Sequence, residues 1–389
     1  MIKKKILFIF KQPYHWNPDI IDKFSNYFEV ESINISEFDK ESFSEIVSKI
    51  NNLIKTKNIE ITVFDVDYFK FLNLFFIQEI ICKKKILITG DDVENHEMNS
   101  ITASGCDIVL THDPLSVLKF REKGFESYHV HFDSGKTPDN YDTKKEIDVL
   151  YFGILNSDRN EFLDYIKKQN INLKNVGHIS DENRLKDEDL FKLIQKSKIV
   201  INFSKTRSDF IRSYTSKNLY KFHYMFKGRL ALVGLNGAAC VSEYSPGQEI
   251  LFKKDEVPYF FTKEECVDIL KKLLNDEKLL NEYTKKFTTK AHNLFEEKKN
   301  ILPIYNALQK SNSDKVQLFK LPYWYLRISA KQITVRNISI FKPKVLVSNL
   351  NNIFKILKKS NILEKILILI EYLLNIIWYT FKGLLNKKK

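Results

Sequence analysis

Short apolar runs rich in Ile, Val and Phe recur through the first 300 residues, each followed by a longer stretch with helical spacing. In the first half these runs are Ile6–Phe10, Val30–Ile35, Ile59–Val66, Ile86–Thr89, Asp107–Thr111 and Tyr128–His131. Helical stretches lie between them, among them Ile20–Tyr27, Glu41–Thr56 and Pro114–Lys123, the last closed by Gly124. A strand apolar on both sides has no face to offer water, so its sheet must be covered twice. Alternating strands and helices supply that cover and make the sheet parallel. The polar stretch 133–145, with Gly135 and Pro138, reads as a linker. The pattern then restarts with strand Asp148–Phe152, helices near 159–169 and 185–197, and strand Lys198–Phe203. A helix near Gly228–Leu235, strand Ala238–Ser242 and helices Lys263–Asn275, Glu277–Phe287 and Ala291–Gln309 complete it. The expected fold class is α/β, with parallel-sheet domains over 1–140 and 141–314 facing a cleft, where ligands of open parallel sheets bind.

Charge separates a third region. The chain carries a net +13, yet residues 1–314 hold 47 basic and 47 acidic groups. The whole excess sits in 315–389, where 15 Lys and Arg face only Glu364 and Glu371. It accompanies an apolar stretch, Ile362 to Leu385, and is not spread over a folded face, which argues against nucleic acid. At 100° per residue Glu364, Glu371, Asn375, Lys382 and Asn386 gather within about 60°, and the rest of that helix is apolar. About 24 residues are enough to span hydrocarbon, but a charged stripe suits lying in the interface with lysines on anionic headgroups. Residues 350–389 are therefore expected to meet an anionic membrane surface; a core or partner-binding helix is the other reading. Lys3–Lys5 precede only five apolar residues, short of the roughly 7–15 of a secretory signal. Cys82, Cys106, Cys240 and Cys266 form no C-x-x-C pair, which points to a reducing, cytoplasmic setting without a zinc ribbon.

Three places in the second half suggest anion binding. Tyr151-Phe-Gly-Ile-Leu-Asn-Ser-Asp-Arg159 runs from a strand end into a helix. Gly153 allows close backbone approach, Ser157 or Asp158 can cap, and Arg159 follows; a structural turn explains the same residues. Lys205 and Arg207 come just past a buried strand, where basic groups are placed to neutralise a diphosphate; a solvated basic loop is the alternative. Gly228 and Arg229 open a short helix of small residues that Gly237 stops before the next strand.

Strand, basic loop, Lys227-Gly-Arg229, small helix, strand, Ser242-Glu-Tyr-Ser-Pro-Gly247 and Glu249-Ile-Leu251 resemble the donor-nucleotide region of GT-B glycosyltransferases. The resemblance is closest to the group 1, spore-maturation-protein CgeB-like set. Ile88-Thr-Gly-Asp-Asp92, Asp107 to Asp113, Lys123-Gly124 and Asp148 to Gly153 fit the same order, so it covers roughly residues 5–300. It implies two Rossmann-like domains, an acceptor-side one first and a nucleotide-sugar-binding one second, and a diphosphate held by Gly153, Arg159, Lys205, Arg207, Gly228 and Arg229. Many members carry Arg-x-Phe-Glu where this chain has Arg229-Leu-Ala-Leu232. The two glutamates of related retaining enzymes fall on Tyr224 and Leu232, which leaves Glu243 or Glu249 to contact the sugar or ribose.

In the first half, His15 of Gln12-Pro-Tyr-His-Trp16 follows the first strand and has a pKa suited to a general base, with Asp19 orienting it or acting instead. A structural loop histidine is the plainer reading. Asp91 and Asp92 invite a metal reading, but GT-B enzymes usually work without a bound metal, so they are taken as acceptor-side or capping groups, with no cofactor. His112, at a strand-end turn before Pro114, is a third acceptor-side candidate. The expected function is sugar transfer from a nucleotide-diphosphate sugar to a lipid-linked, polysaccharide or protein acceptor at the membrane. The alternative is a catalytically silent GT-B-like module recruited there by its tail.

Overall fold

The computed structural model describes residues 3–11, 17–38, 41–65, 71–131, 144–178, 185–205, 223–295, 297–309, 320–334 and 343–386. Its first sheet is built from β1 (Lys5–Phe10), β2 (Glu29–Asn34), β3 (Ile61–Asp65), β4 (Lys84–Thr89), β5 (Ile108–Thr111) and β6 (Ser127–His129). All pair in parallel in the order β2-β1-β3-β4-β5-β6. The helices between them are α1 (Asn17–Ser25), α2 (Phe43–Lys57), α3 (Leu74–Glu79), α4 (Asp92–Ala103) and α5 (Pro114–Glu122). Successive strand residues point to opposite faces. Leu7, Ile9, Phe64, Leu87 and Val109 therefore enter one core with α2, α3 and α4. Ile6, Phe8, Val63, Ile86 and Leu110 enter another with α1.

The second sheet comprises β7 (Ile147–Tyr151), β8 (Leu173–Asn175), β9 (Ser197–Asn202), β10 (Ala239–Glu243) and β11 (Tyr259–Phe260). They are parallel in the order β11-β10-β9-β7-β8. Around it lie α6 (Ser157–Lys168), α7 (Asp187–Gln195), α8 (Arg229–Leu235), α9 (Gln248–Leu251), α10 (Lys263–Asn275) and α11 (Glu277–Phe295). The edge strands β8 and β11 were not anticipated, since three and two residues are too few to show a period. Asn156, and not Ser157 or Asp158, caps α6, its Oδ1 accepting from the Arg159 N–H at 2.9 Å.

The chain then crosses back. In α12 (Glu297–Gln309), Ile301, Ile304 and Leu308 bury against α1 and the first sheet, and Lys4 Nζ donates to Gln309 Oε1 at 2.9 Å. Beyond it α13 (Tyr323–Thr334), α14 (Pro343–Leu357) and α15 (Ile362–Asn386) form a helical appendage. Tyr325, Leu326, Ile353, Ile356, Ile368 and Tyr372 join the core on the opposite face of the first sheet, with Phe43, Phe71 and Phe76. The Tyr325 hydroxyl accepts from the Leu74 N–H at 2.8 Å and meets Thr102 Oγ1 at 3.0 Å. Asn352 Nδ2 donates to Ser44 Oγ at 3.1 Å. Residues on both sides of position 314 thus pack on the first domain. Of the two roles open to this segment from its sequence, a core helix describes the inner face; the outer face stays uncovered among the described residues. No described helix is long and apolar enough to cross a membrane.

Helix α8 sits against α11 because Gly234 has no side chain: a Cβ there would lie 2.5 Å from Ala291 Cβ and 3.0 Å from the Phe287 ring. Gly234→Ala should therefore cost about 1–3 kcal/mol by overpacking, read as a lower urea midpoint. An unchanged midpoint would mean the two helices separate freely.

Candidate active site

The carboxyl ends of the two sheets meet. On the second-domain side, Gly153 follows β7 with φ +119°, and a Cβ there would stand 2.9 Å from Arg229 Cζ. The guanidinium lies flat against bare backbone, which only glycine permits in that conformation. Burial lowers the Arg229 pKa, with Tyr151 the main offset; the group stays charged at neutral pH. Its Nη1 is buried with no hydrogen-bond partner among the described residues. A buried cationic donor left open is costly, and an anion is the ligand that satisfies it.

The other basic candidates divide. Arg159 is buried and spends Nη1 on the Ile154 carbonyl at 2.6 Å and Nη2 on the Lys205 carbonyl at 2.9 Å. It ties the loops after β7 and β9 together and supplies charge, a positioning role more than a direct one. Lys205 pairs with Tyr224 in an isolated antiparallel bridge. Arg207 lies outside the described residues. Gly228 comes under the first domain, since a Cβ on it would meet the His131 ring at 3.1 Å. Next to Gly228 stands Lys227, which the sequence carries in Lys227-Gly-Arg229 without a role assigned to it. Burial pulls its ammonium down to about 8, against the pull of Asp91 and Glu94 from the first domain and with the push of Arg229 and Arg159.

The carboxylates also divide. Glu243, at the end of β10, accepts from the Ser204 and Lys205 N–H groups at 3.0 and 2.8 Å. Burial raises its pKa; those two N–H groups oppose the rise. It fixes the loop after β9 beside Tyr224, whose own pKa rises through burial and the nearby Glu243. Glu249 is exposed on α9, where burial and Glu249 together raise the Tyr244 pKa. Leu232 is buried in the second-domain core.

On the first-domain side, Asp91 stands at the head of α4 with φ 48° and makes no capping bond there. Its charge acts on Lys227 across the cleft and on His112 of its own domain. Asp92 turns the other way and is fully buried. It accepts from Thr89 Oγ1 at 2.5 Å, from Asn99 Nδ2 at 2.8 Å and from Thr111 Oγ1. Burial raises it to about 6, with those three donors opposing. It clamps the ends of β4 and β5 to α4 and so positions Asp91. Burial lowers His112 and His129 to about 4 each. His129 Nε2 donates to the His112 carbonyl at 3.1 Å, and its ring packs on Phe226 and Phe295 of the second half. His15 lies outside the described residues. Asp19 falls within α1, but its side chain is not among those described. No three His, Cys, Asp or Glu side chains gather as a metal site among the described residues.

Asp92→Ala should leave two hydroxyls and an amide without their acceptor and cost about 1–3 kcal/mol, visible as a lower Tm. The histidines predict an acid limb. A ring whose folded pKa lies below its unfolded value gives stability that is complete above pH 6.5 and lost as pH falls toward 4, about 1.4 kcal/mol per pH unit. Asp92, raised to about 6, works the opposite way as it protonates. In His129→Gln the stability gap to the parent should therefore shrink between pH 6.5 and 4, read by urea unfolding at each pH; a constant gap would place the ring in solvent.

Residues 156–301 match the family model described as glycosyl transferase-like. No curated protein matches the sequence. Among solved structures, Anabaena Alr3699/HepE in complex with UDP and glucose is similar at 11% identity and TM-score 0.52, over 79% of this chain and 99% of that one. The same protein with UDP alone gives 11% identity and 0.50, over 78% and 99%. An α-glucosyltransferase in complex with UDP and a 13-mer DNA containing a HMU base gives 11% and 0.48, over 80% and 100%. The chain thus has the GT-B fold, and its second half carries a glycosyl transferase-like segment.

Proposed function

We propose that this chain transfers a sugar from a nucleoside-diphosphate sugar to a hydroxyl acceptor. The observation that carries the reading is Arg229, charged, buried, laid on Gly153, with Nη1 open, inside the segment that matches the glycosyl transferase-like model. In such a reaction the bond from the sugar's anomeric carbon to the diphosphate oxygen breaks, and its electron pair stays on the phosphate. Stabilising that developing charge is the main electrostatic demand, and Arg229 and Lys227 are the cations at hand. The acceptor oxygen forms the new bond and gives up its proton; His15, with Asp19, is the proposed base, and Asp91 is the first-domain carboxylate that acts most on Lys227. The narrower CgeB-like membership, an acceptor in surface polysaccharide or glycoconjugate synthesis, a cytoplasmic setting and catalysis without a resident cofactor belong to the same proposal.

Leu232 in the core favours one rival: a member that binds nucleotide without turning it over, since neither it nor Tyr224 can replace a sugar-binding glutamate. Thermal-shift measurement with UDP, GDP, ADP, CDP and TDP separates the readings. UDP comes first because HepE was solved with it. A nucleotide at about 100 times its Kd should stabilise by about 2.7 kcal/mol, and Arg229→Ala should abolish the shift. A shift without release of nucleotide from any nucleotide sugar would select the silent module. No shift with any nucleotide would overturn both.

A further inference from the structure

The appendage leaves one surface unexplained. Inward, α15 buries Ile368, Tyr372, Ile376 and Thr380, and Glu371 accepts from Arg327 at 2.7 and 3.2 Å on the flank. Outward, ten large apolar side chains are exposed, among them Ile366, Ile370, Leu373, Leu374, Ile377 and Trp378. At 100° per residue these ten fill an arc of about 160° with no charged residue in it, along a helix of about 37 Å. A patch of this length and uniformity marks an interaction surface.

Its surroundings say what covers it. Lys358 and Lys359, just before the helix, are exposed, and the segment 315–389 carries 15 basic against two acidic residues. Two copies brought face to face would oppose these charges, whereas an anionic lipid surface complements them and takes apolar side chains between its headgroups. The helix is not of a kind that crosses a membrane. We infer that α15 lies in the surface of an anionic bilayer, its apolar arc inward to lipid, and that α13 and α14 beneath it hold the first domain there. The core that the appendage joins contains residues of the first domain and none of the second, so the membrane would hold the first domain. This inference rests on the exposed apolar face and the basic residues of its segment, and stands whether or not the chain transfers sugar.

Vesicle flotation of the full chain tests it without turnover. Phosphatidylcholine vesicles with about one third phosphatidylglycerol should be bound, pure phosphatidylcholine more weakly, and high salt should weaken the first. Leu374→Glu with Ile377→Glu should lower binding at least tenfold while the circular-dichroism melt is kept, because both side chains are exposed. Trp378 emission in the parent should shift to the blue on vesicles, and Trp378→Phe should remove that shift. No association with anionic vesicles, or binding unchanged in the double variant, would overturn the inference. A dimer in sedimentation velocity that the double variant dissociates would overturn it in favour of a second copy.

Discussion

A parallel strand that is apolar on both faces can be stable only if both faces are covered, and most of this molecule's architecture answers that need. The first sheet has Leu7, Ile9 and Phe64 on one side and Ile6, Phe8 and Val63 on the other. Its own connecting helices do not finish the cover. On one side α12 returns from the second domain and places Ile301, Ile304 and Leu308 there. On the other the appendage brings Tyr325, Ile353 and Ile368. The same requirement therefore ties the two domains together and gives the basic segment a fixed seat.

Where the two sheets meet, the chemistry is one of unequal charge. The second domain presents Arg229 on bare Gly153 backbone and Lys227 beside it; the first presents Asp91, with Glu94 close behind. Supporting groups hold these in place by spending their own hydrogen bonds. Asp92 clamps two strand ends, Arg159 ties the loops after β7 and β9, and Glu243 pins the latter. Such sites commonly have an inner layer that must be rigid for the outer groups to be placed. The neutral rings of His112 and His129 occupy the junction itself, where a charged ring would be poorly solvated.

Much of this was legible in the sequence. Six apolar runs gave six strands in the first domain, because a five- or six-residue run of Ile, Leu, Val and Phe has few other ways to be buried. Gly153 and Arg229 stood out from their places after a strand and at a helix start, and the structure brings the two together. Other readings missed in instructive ways. Asp92 reads like Asp91 in a sequence, and only the backbone direction at the head of α4 sends one into the core and the other to the cleft. Arg159 has the composition of a ligand but finds two carbonyls first. Lys227 was legible only as part of Lys227-Gly-Arg229; its charged neighbours Asp91 and Glu94 come from another domain more than 130 positions away.

The sequence by itself determined the α/β class, the two-domain order, the neutral body and the basic apolar end, since period and charge are local properties carried by neighbouring residues. Tertiary structure decided which polar groups face the cleft and which support it, and which side of α15 is core. Those choices depend on contacts between residues far apart in the chain, such as the Tyr325 hydroxyl with Leu74 and Thr102, and no local pattern encodes them.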